Sequence, residues 1–404
     1  MVGARGLGVL GAMYVTQGLV YGFAAFVLLP TLAAAGVALE AQTGILALAG
    51  LPWVFKLLWG PVIDAYAPRG RGPATFAAAG MVAIAVALAA MASVPATPAN
   101  VTTLAVTWLL LNVALSLQDV ATDAIALDTI APGQRGLANG VMLGGHHLGF
   151  EALGGLALGA LVAAQGLRMA MFGMVAAVVV LAAALRWAPA ASPAAGGPKR
   201  RPLGEALAVL ERLVMDRRAV TVALVAAGVM FADVLTAALS AEFWVNRLGW
   251  TVAEVSGVLP KVLLPANLVG FGVAALLADR VGHRRMAAGG TVALGASWVV
   301  FAALSPWWTD AWVLLSFVAV QALATAAMYV GVHAALMDAT DPRARATHFA
   351  ALTALLNSPR VVAPLLAAPL LGALGWGGVF AACGVVQMAW ALALARLPTG
   401  GEGA

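Results

Sequence analysis

Cysteine is nearly absent from this chain: Cys383 stands alone inside an apolar run, which excludes a disulfide framework and a cysteine-based metal site. Charge is also scarce. Asp, Glu, Lys and Arg make up 10% of the residues, against about 25% in an ordinary soluble domain. No G-x4-G-K-[S/T] loop occurs, which argues against hydrolysis of a nucleoside triphosphate, and no H-E-x-x-H or similar spacing points to a resident metal. His146 and His147 are adjacent, and adjacent side chains on a helix point apart. What is abundant is apolar: 63% of the 404 residues are hydrophobic, and mean hydropathy is +0.96. A soluble fold already leaves over half of its accessible surface apolar and has no room to hide this much more. The composition argues against a soluble enzyme, a disordered protein and a nucleic-acid binder. Lipid is the solvent that suits it.

At about 20 apolar residues per membrane-spanning helix, the chain has room for about a dozen. Apolar runs separated by polar breaks predict twelve helices, near residues 7–29, 41–63, 73–94, 102–128, 136–163, 168–187, 219–246, 252–278, 285–304, 310–338, 345–371 and 376–396. The first is expected as a helix and not as a cleaved leader, because Tyr14, Thr16 and Gln17 interrupt its apolar stretch and no clear cleavage site follows. With the N-terminus inside, 17 of the 22 Lys and Arg residues fall in cytoplasmic segments and two, Arg168 and Arg247, on the opposite side. The other three, Lys56, Lys261 and Arg360, fall inside helices. This bias predicts that both termini are cytoplasmic, and it accounts for the net charge of +5 without an anionic partner.

Residues 188–202, APAASPAAGGPKRRP, read as a linker, and Leu203–Arg218 places Leu203, Leu207, Leu210 and Val214 on one side of an amphipathic surface helix. The expected organisation is therefore an N-terminal six-helix half (1–187), a cytoplasmic linker (188–218) and a C-terminal six-helix half (219–404). The halves echo each other. Asp128, Pro132 and Arg135 form a D-x3-P-x2-R pattern that recurs 210 positions later as Asp338, Pro342 and Arg345. Leu51-Pro52 recurs 208 positions later as Leu259-Pro260. Matching offsets mark an internal repeat. Two six-helix halves related by an axis along the membrane normal resemble the major facilitator architecture. The expected fold is all-α and integral to the membrane, with twelve spans.

An ionisable residue at membrane depth costs at least about 2.5–3.5 kcal/mol, so such residues face the bundle interior or a water-filled cavity. Asn112, Ser116, Asp119 and Asp123 are spaced 4, 3 and 4 apart on one stripe of the fourth helix. Two carboxylates one turn apart repel, which makes the pair a candidate proton carrier. Lys56 lies eight residues before Asp64, about 12 Å deeper at the helical rise, and needs a carboxylate or an anionic solute. Lys261 lies in the eighth helix and Asp233 in the seventh. His147 and Glu151 share a face of the fifth at i,i+4. Asn357 and Arg360 lie in the eleventh helix, where a guanidinium is suited to a carboxylate or phosphate. Proton coupling is expected at Asp119, Asp123, Asp233, Glu151 and His147. Solute binding is expected at Lys56, Lys261, Arg360, Asn357 and Gln118. The helix-end pairs Asp64/Arg71, Asp128/Arg135, Asp279/Arg280 and Asp338/Arg345 are expected to latch an inner gate or, more simply, to set topology.

The segments WVFKLLWGPVIDAY (53–66), SLQDVATDAIALD (116–128), RGLANGVMLGGHHLG (135–149), FADVLTAAL (231–239), AEVSGVLPK (253–261) and NSPRVVAP (357–364) together resemble the muropeptide permease family and its relatives, the ferric-siderophore permeases and acetyl-CoA transporters. The resemblance implies inward, proton-driven passage of a bulky polar solute across the inner membrane. It also places Lys56, Asp119, Asp123, Asp128, Asp233, Lys261 and Arg360 at the family's polar positions. The muropeptide pattern has Lys where this chain has Ala126 and Met230, Arg at His147 and an apolar residue at Glu151. Those changes argue against a strongly anionic muropeptide, and residues 44–66 resemble the siderophore branch more closely.

The expected protein is a monomeric, proton-coupled permease of the inner membrane, surrounded by lipid, that imports a polar siderophore-like or muropeptide-like solute. It needs no cofactor and no nucleic acid. An acyl-CoA or other small-metabolite transporter of the same fold is an alternative. So are a non-transporting membrane sensor and a membrane-embedded acyltransferase, although no nucleophile–base or metal constellation supports the enzyme. The topology is testable with a green fluorescent protein fused after Ala404. With a cytoplasmic C-terminus the fusion is fluorescent, whereas alkaline phosphatase fused there is inactive; the reverse result refutes the assignment.

Overall fold

In a computed structural model of the protein, residues 4–66, 72–129, 135–188, 203–204, 208, 211, 216–338 and 345–396 are described, and among them there is no β-strand. The linker and most of the expected amphipathic helix 203–218 lie outside the described residues.

Ten apolar helices precede the last: α1 (Arg5–Ala34), α2 (Leu39–Ile63), α3 (Ala74–Ala92), α4 (Pro98–Ala126), α5 (Gly140–Gln165), α6 (Leu167–Trp187), α7 (Val220–Arg247), α8 (Val252–Ala278), α9 (His283–Ala303) and α10 (Ala311–Leu336). The final segment, Ala350–Ala395, runs for 46 residues. At the helical rise it would extend about 69 Å, more than twice a hydrocarbon core of about 30 Å. It is broken at Gly375, whose φ of 65° and ψ of 176° are not helical. Glycine adopts that conformation without the Cβ clash other residues meet. The break divides the segment into α11 (350–374) and α12 (376–395), for twelve spans among the described residues. Gly166, with φ 83°, makes the corresponding turn between α5 and α6, and the 209-residue separation of the two glycines agrees with the repeat read from the motifs.

Large apolar side chains cover the outside of these helices. Val82 and Val86 on α3, Val180 on α6, Leu276 on α8 and Leu392 on α12 are all more than half exposed. Patches of this kind drive aggregation in water and are at rest in hydrocarbon. The protein is a multi-pass membrane protein.

The chain forms two units. Unit 1 contains Met1–Ala38, Leu51–Arg212 and Thr251–Pro260, and unit 2 contains Leu39–Gly50, Leu213–Trp250 and Lys261–Ala404. α2 and α8 are therefore each divided, at Leu51 and after Pro260. The two Leu-Pro motifs of the repeat mark these divisions. Proline removes one helical hydrogen bond and so provides a place for the helix to bend.

Unit 1 is built on a close approach of α1 and α5. A Cβ at Gly18 would collide with the His146 carbonyl, one at Gly22 with the Phe150 carbonyl, and one at Gly149 with the Val15 carbonyl. Small residues let helix backbones touch where lipid provides no hydrophobic drive between them. α5 changes to π-helical geometry over Leu148–Ala157. Below, Leu10, Ile63, Ala77, Ala121, Ile125, Ala126 and Met142 form an apolar cluster with Tyr14 and Trp59 against it. Unit 2 is packed instead around aromatic rings. Phe243 lies 5.0–5.8 Å from Phe301, Trp308, Trp376 and Phe380, and Phe301 stacks on Phe317 at 3.7 Å.

Gly22→Val forces α1 from α5 and is expected to lower the melting temperature in detergent by several degrees, an overpacking cost of about 1–3 kcal/mol. Gly8→Ala, at an exposed position with nothing within 4 Å of the added methyl, is the control and should be neutral or stabilising. Equal melting temperatures for Gly22→Val and wild type would show that the close approach is dispensable.

Candidate functional site

Each unit contains a polar cluster, buried in unit 1 and half-buried in unit 2. In unit 1 it begins with an irregularity in α2, which tightens to a 3₁₀ turn over Lys56–Leu58. Side chains three residues apart eclipse in such a turn, and Trp53, Lys56 and Trp59 all turn toward α4. Trp53 Nε1 donates to Asn112 Oδ1 at 3.1 Å, and Trp59 Nε1 donates to Ser116 Oγ at 3.0 Å. Lys56 Nζ reaches Asp119 Oδ2 at 3.1 Å. The polar stripe on α4 and the lysine of α2 are thus one structure. Lys56 also lies 5.6 Å from the centre of the Trp53 ring.

Asp119 uses its other oxygen as well. Gln17 of α1 donates from Nε2 to Asp119 Oδ1 at 3.1 Å and lies 3.2 Å from Gln118 Oε1. Gln118 Nε2 is held by Thr122 Oγ1 at 3.0 Å. Asp119 is 5% exposed, Gln17 4% and Gln118 0%, so this network is shielded from solvent. Asp123, one turn further on, has a different neighbour: the Tyr14 hydroxyl of α1 donates to Asp123 Oδ1 at 2.9 Å. The two carboxylates of the stripe are therefore distinct, with Asp119 fixed on both oxygens and Asp123 bound by a phenol.

On α5, His147 Nδ1 and Glu151 Oε1 are 3.2 Å apart, and Glu151 is fully buried within the π-helical stretch. His146 stacks on Phe150 at 6.1 Å and approaches Tyr21 at 6.2 Å, and Tyr21 lies 5.7 Å from Trp53. An aromatic wall thus runs from α5 across α1 to the lysine of α2.

In unit 2, Asp233 of α7 accepts a looser hydrogen bond from the Tyr329 hydroxyl of α10, at 3.4 Å. Arg360 is close enough for its charge to act on both groups. Arg360 follows a turn at Asn357-Ser358, and its Nε donates to Asn357 Oδ1 at 3.1 Å. A Cβ at Gly50, in the part of α2 that belongs to unit 2, would stand 2.5 Å from the Arg360 carbonyl oxygen. Lys261 is exposed. Glu242, near the end of α7, accepts from Asn246 Nδ2 at 2.8 Å and from Gln42 Nε2 at 3.4 Å.

Of the expected gate residues, Arg280 is exposed. Arg71 and the side chains of Asp64, Asp128, Arg135, Asp279, Asp338 and Arg345 lie outside the described residues. Tyr14, Gln17, Thr122, Tyr329 and Glu242 are polar partners that the reading of charges alone did not single out. The signal for the first two was the break they make in the apolar run of α1.

Removing one member of the Lys56–Asp119 pair leaves a buried charge uncompensated, at a cost of about 3–5 kcal/mol. Asp119→Asn is therefore expected to lower the melting temperature strongly. The double change Lys56→Met with Asp119→Leu should recover most of it, because apolar side chains of similar volume replace the pair. A double variant no more stable than Asp119→Asn would show that the pair's worth is not electrostatic.

A family model described as Major Facilitator Superfamily matches residues 10–275 and 262–402. Among curated proteins, the anhydromuropeptide permease of Escherichia coli is 28% identical over 245 residues, which is 59% of this chain and 48% of that protein, in two strains. The chain thus spans about half the length of the curated relatives it matches. Among solved structures, the human organic anion transporter MFSD10 (TETRAN) superposes with a TM-score of 0.72 at 16% identity, covering 96% of this chain and 99% of that one. A mutant of the nucleoside transporter NupG gives 0.73 at 12% identity, covering 98% and 100%. At these identities the likeness is one of fold.

Proposed function

Because the chain belongs to the major facilitator superfamily, we propose that it is a secondary transporter and not an enzyme, and that it imports a polar organic solute across the cytoplasmic membrane by alternating access driven by protons. The observation that carries this reading is the ionisable chemistry kept inside helices long and apolar enough to cross a membrane. Lys56 is paired with Asp119 at 3.1 Å, and Asp123 stands one turn away on a phenol. Charges so costly to bury mark solute or proton pathways in membrane proteins.

The roles divide by environment. Asp119, fixed on both oxygens, holds Lys56 and orients it. Asp123 is the proton carrier, because its single phenol contact lets the carboxyl take up and release a proton without breaking an ion pair. His147 and Glu151 relay protons on α5. Lys56 in unit 1, and Lys261, Asn357 and Arg360 in unit 2, are the polar groups offered to a solute, and Arg360 supplies a planar fork for a carboxylate. Gln118, expected to bind solute, is fully buried and braces Gln17 beside Asp119 instead. Four acids, Asp119, Asp123, Glu151 and Asp233, nearly balance three bases, Lys56, Lys261 and Arg360. That balance favours a weakly anionic or zwitterionic solute over a polyanion, and so a siderophore-like cargo ahead of a muropeptide-like one. The protein works as a monomer with both termini in the cytoplasm, and the Asp/Arg pairs at the inner helix ends hold its gate.

The test is uptake into proteoliposomes of two probes, a ferric siderophore and an anhydromuropeptide, with and without an imposed inward proton gradient. Accumulation of either only under the gradient is expected, and gradient-independent uptake overturns the coupling. Asp123→Asn is expected to abolish uphill accumulation while counterflow exchange continues; equal loss of both would remove Asp123 from coupling. Arg360→Lys keeps the charge and loses the fork. It is expected to weaken solute binding at least tenfold, about 1.4 kcal/mol, and wild-type affinity in a titration would take Arg360 out of the site.

A further inference from the structure

The repeat that carries Asp128 onto Asp338 also carries Asp119 onto Tyr329 and Asp123 onto His333, each 210 positions on. Where α4 has two acids one turn apart, α10 has a phenol and an imidazole, with ring centres 5.7 Å apart and stacked. The carboxylate of unit 2 has moved to α7, at Asp233, and the Tyr329 hydroxyl reaches it. In unit 1 the carboxylate is on α4 and the phenol on α1. Each unit thus contains a carboxylate–phenol pair that joins its first and fourth helices, with donor and acceptor exchanged between the two helices. Tyrosine is rare in this chain. There are four, Tyr14, Tyr21, Tyr66 and Tyr329, and two of them make these two contacts. Half of so small a set is a poor match for chance packing.

We propose that the two pairs, Tyr14–Asp123 and Asp233–Tyr329, are a matched set of proton sites, one in each unit, so that a transport cycle binds two protons. This rests on the proton-coupled reading above and extends it. The donor and acceptor types are the same in both pairs, at 2.9 Å in unit 1 and a longer 3.4 Å in unit 2. The phenol donates to the carboxylate, and protonation of the carboxyl weakens that contact. Each pair is therefore a tie between the first and fourth helices that a proton loosens. The groups around them differ. Asp123 faces Tyr14 of α1, Asp119 of its own helix and Lys56 of α2, and Lys56 is held by Asp119. Asp233 has the Tyr329 hydroxyl of α10 as its hydrogen-bond partner, and the Arg360 charge of α11 acts on it. A solute carboxylate that takes the Arg360 fork leaves Asp233 with its phenol, which links solute to proton in unit 2. His333 stacks on Tyr329, its Nδ1 lies 2.9 Å from the Tyr329 carbonyl oxygen, and it steadies the phenol's helix turn.

The test needs no solute. Infrared difference spectra of the purified full-length protein, recorded between acid and alkaline pH, report the carbonyl stretch of each carboxyl that gains a proton. Asp123→Asn is expected to remove one band and Asp233→Asn a second. Tyr14→Phe should move only the first and Tyr329→Phe only the second, and the tyrosine variants serve if an aspartate variant is not monodisperse on size exclusion. If Asp123→Asn removes a band while Asp233→Asn and Tyr329→Phe match wild type, the two-site inference fails and the coupling through Asp123 stands. If no variant changes the spectrum, both fail.

Discussion

Lys56 holds an ammonium group where the surrounding solvent is hydrocarbon, and much of unit 1 is arranged around the answer to that problem. The carboxylate that neutralises it, Asp119, is 3.1 Å away on α4. An ion pair cut off from water still needs its remaining lone pairs satisfied, and Gln17 of α1 does so from a third helix. The 3₁₀ turn at Lys56–Leu58 aims the lysine. The indole bonds of Trp53 and Trp59 hold that turn against α4 on either side of it. One buried charge thereby fixes the mutual positions of α1, α2 and α4, and it leaves Asp123 as the acid outside the pair.

Unit 2 solves the same problem differently. Arg360 cannot lose its proton, so its charge has to be shared. Asn357 takes one of its N–H groups, and Asp233 lies within reach of its field. The packing differs as well. Glycines on α1 and α5 let backbones touch in unit 1, whereas interlocked Phe and Trp rings fill unit 2. The D-x3-P-x2-R motifs and the turns at Gly166 and Gly375 recur at the same offset in the two halves. The polar contents differ within that frame, since Tyr329 and His333 stand at the positions that correspond to Asp119 and Asp123.

The layout of spans could be read from the chain because membrane insertion is governed by composition. Every backbone group in hydrocarbon must be bonded within its own segment, so each apolar run of sufficient length is a helix. Even the division between α11 and α12 was visible, since the apolar run there is too long for one span and contains Gly375. The i,i+4 pair His147–Glu151 was visible for the same reason: its partners share a helix, and helical geometry alone sets their distance. The outer limits of α1 were less visible. It extends to Ala34, five residues past the expected end at 29, because the π-helical turn Ala24–Leu28 and the turn at Pro30 continue the helix instead of stopping it.

What the chain could not state by itself is which charge meets which. Residues 17, 56 and 119 are far apart in sequence, and nothing in spacing or hydropathy says that an amide on α1 and an ammonium on α2 meet at Asp119 and not at Asp123. Tyr14 and Tyr329 carry no formal charge and so left no trace in a search for charge, although each is bonded to a carboxylate. Sequence alone determined the solvent, the number of spans and the repeat, because those follow from composition and spacing. Tertiary structure decided the partners, because hydrogen bonds between helices depend on rotation and close approach, which a linear pattern does not contain.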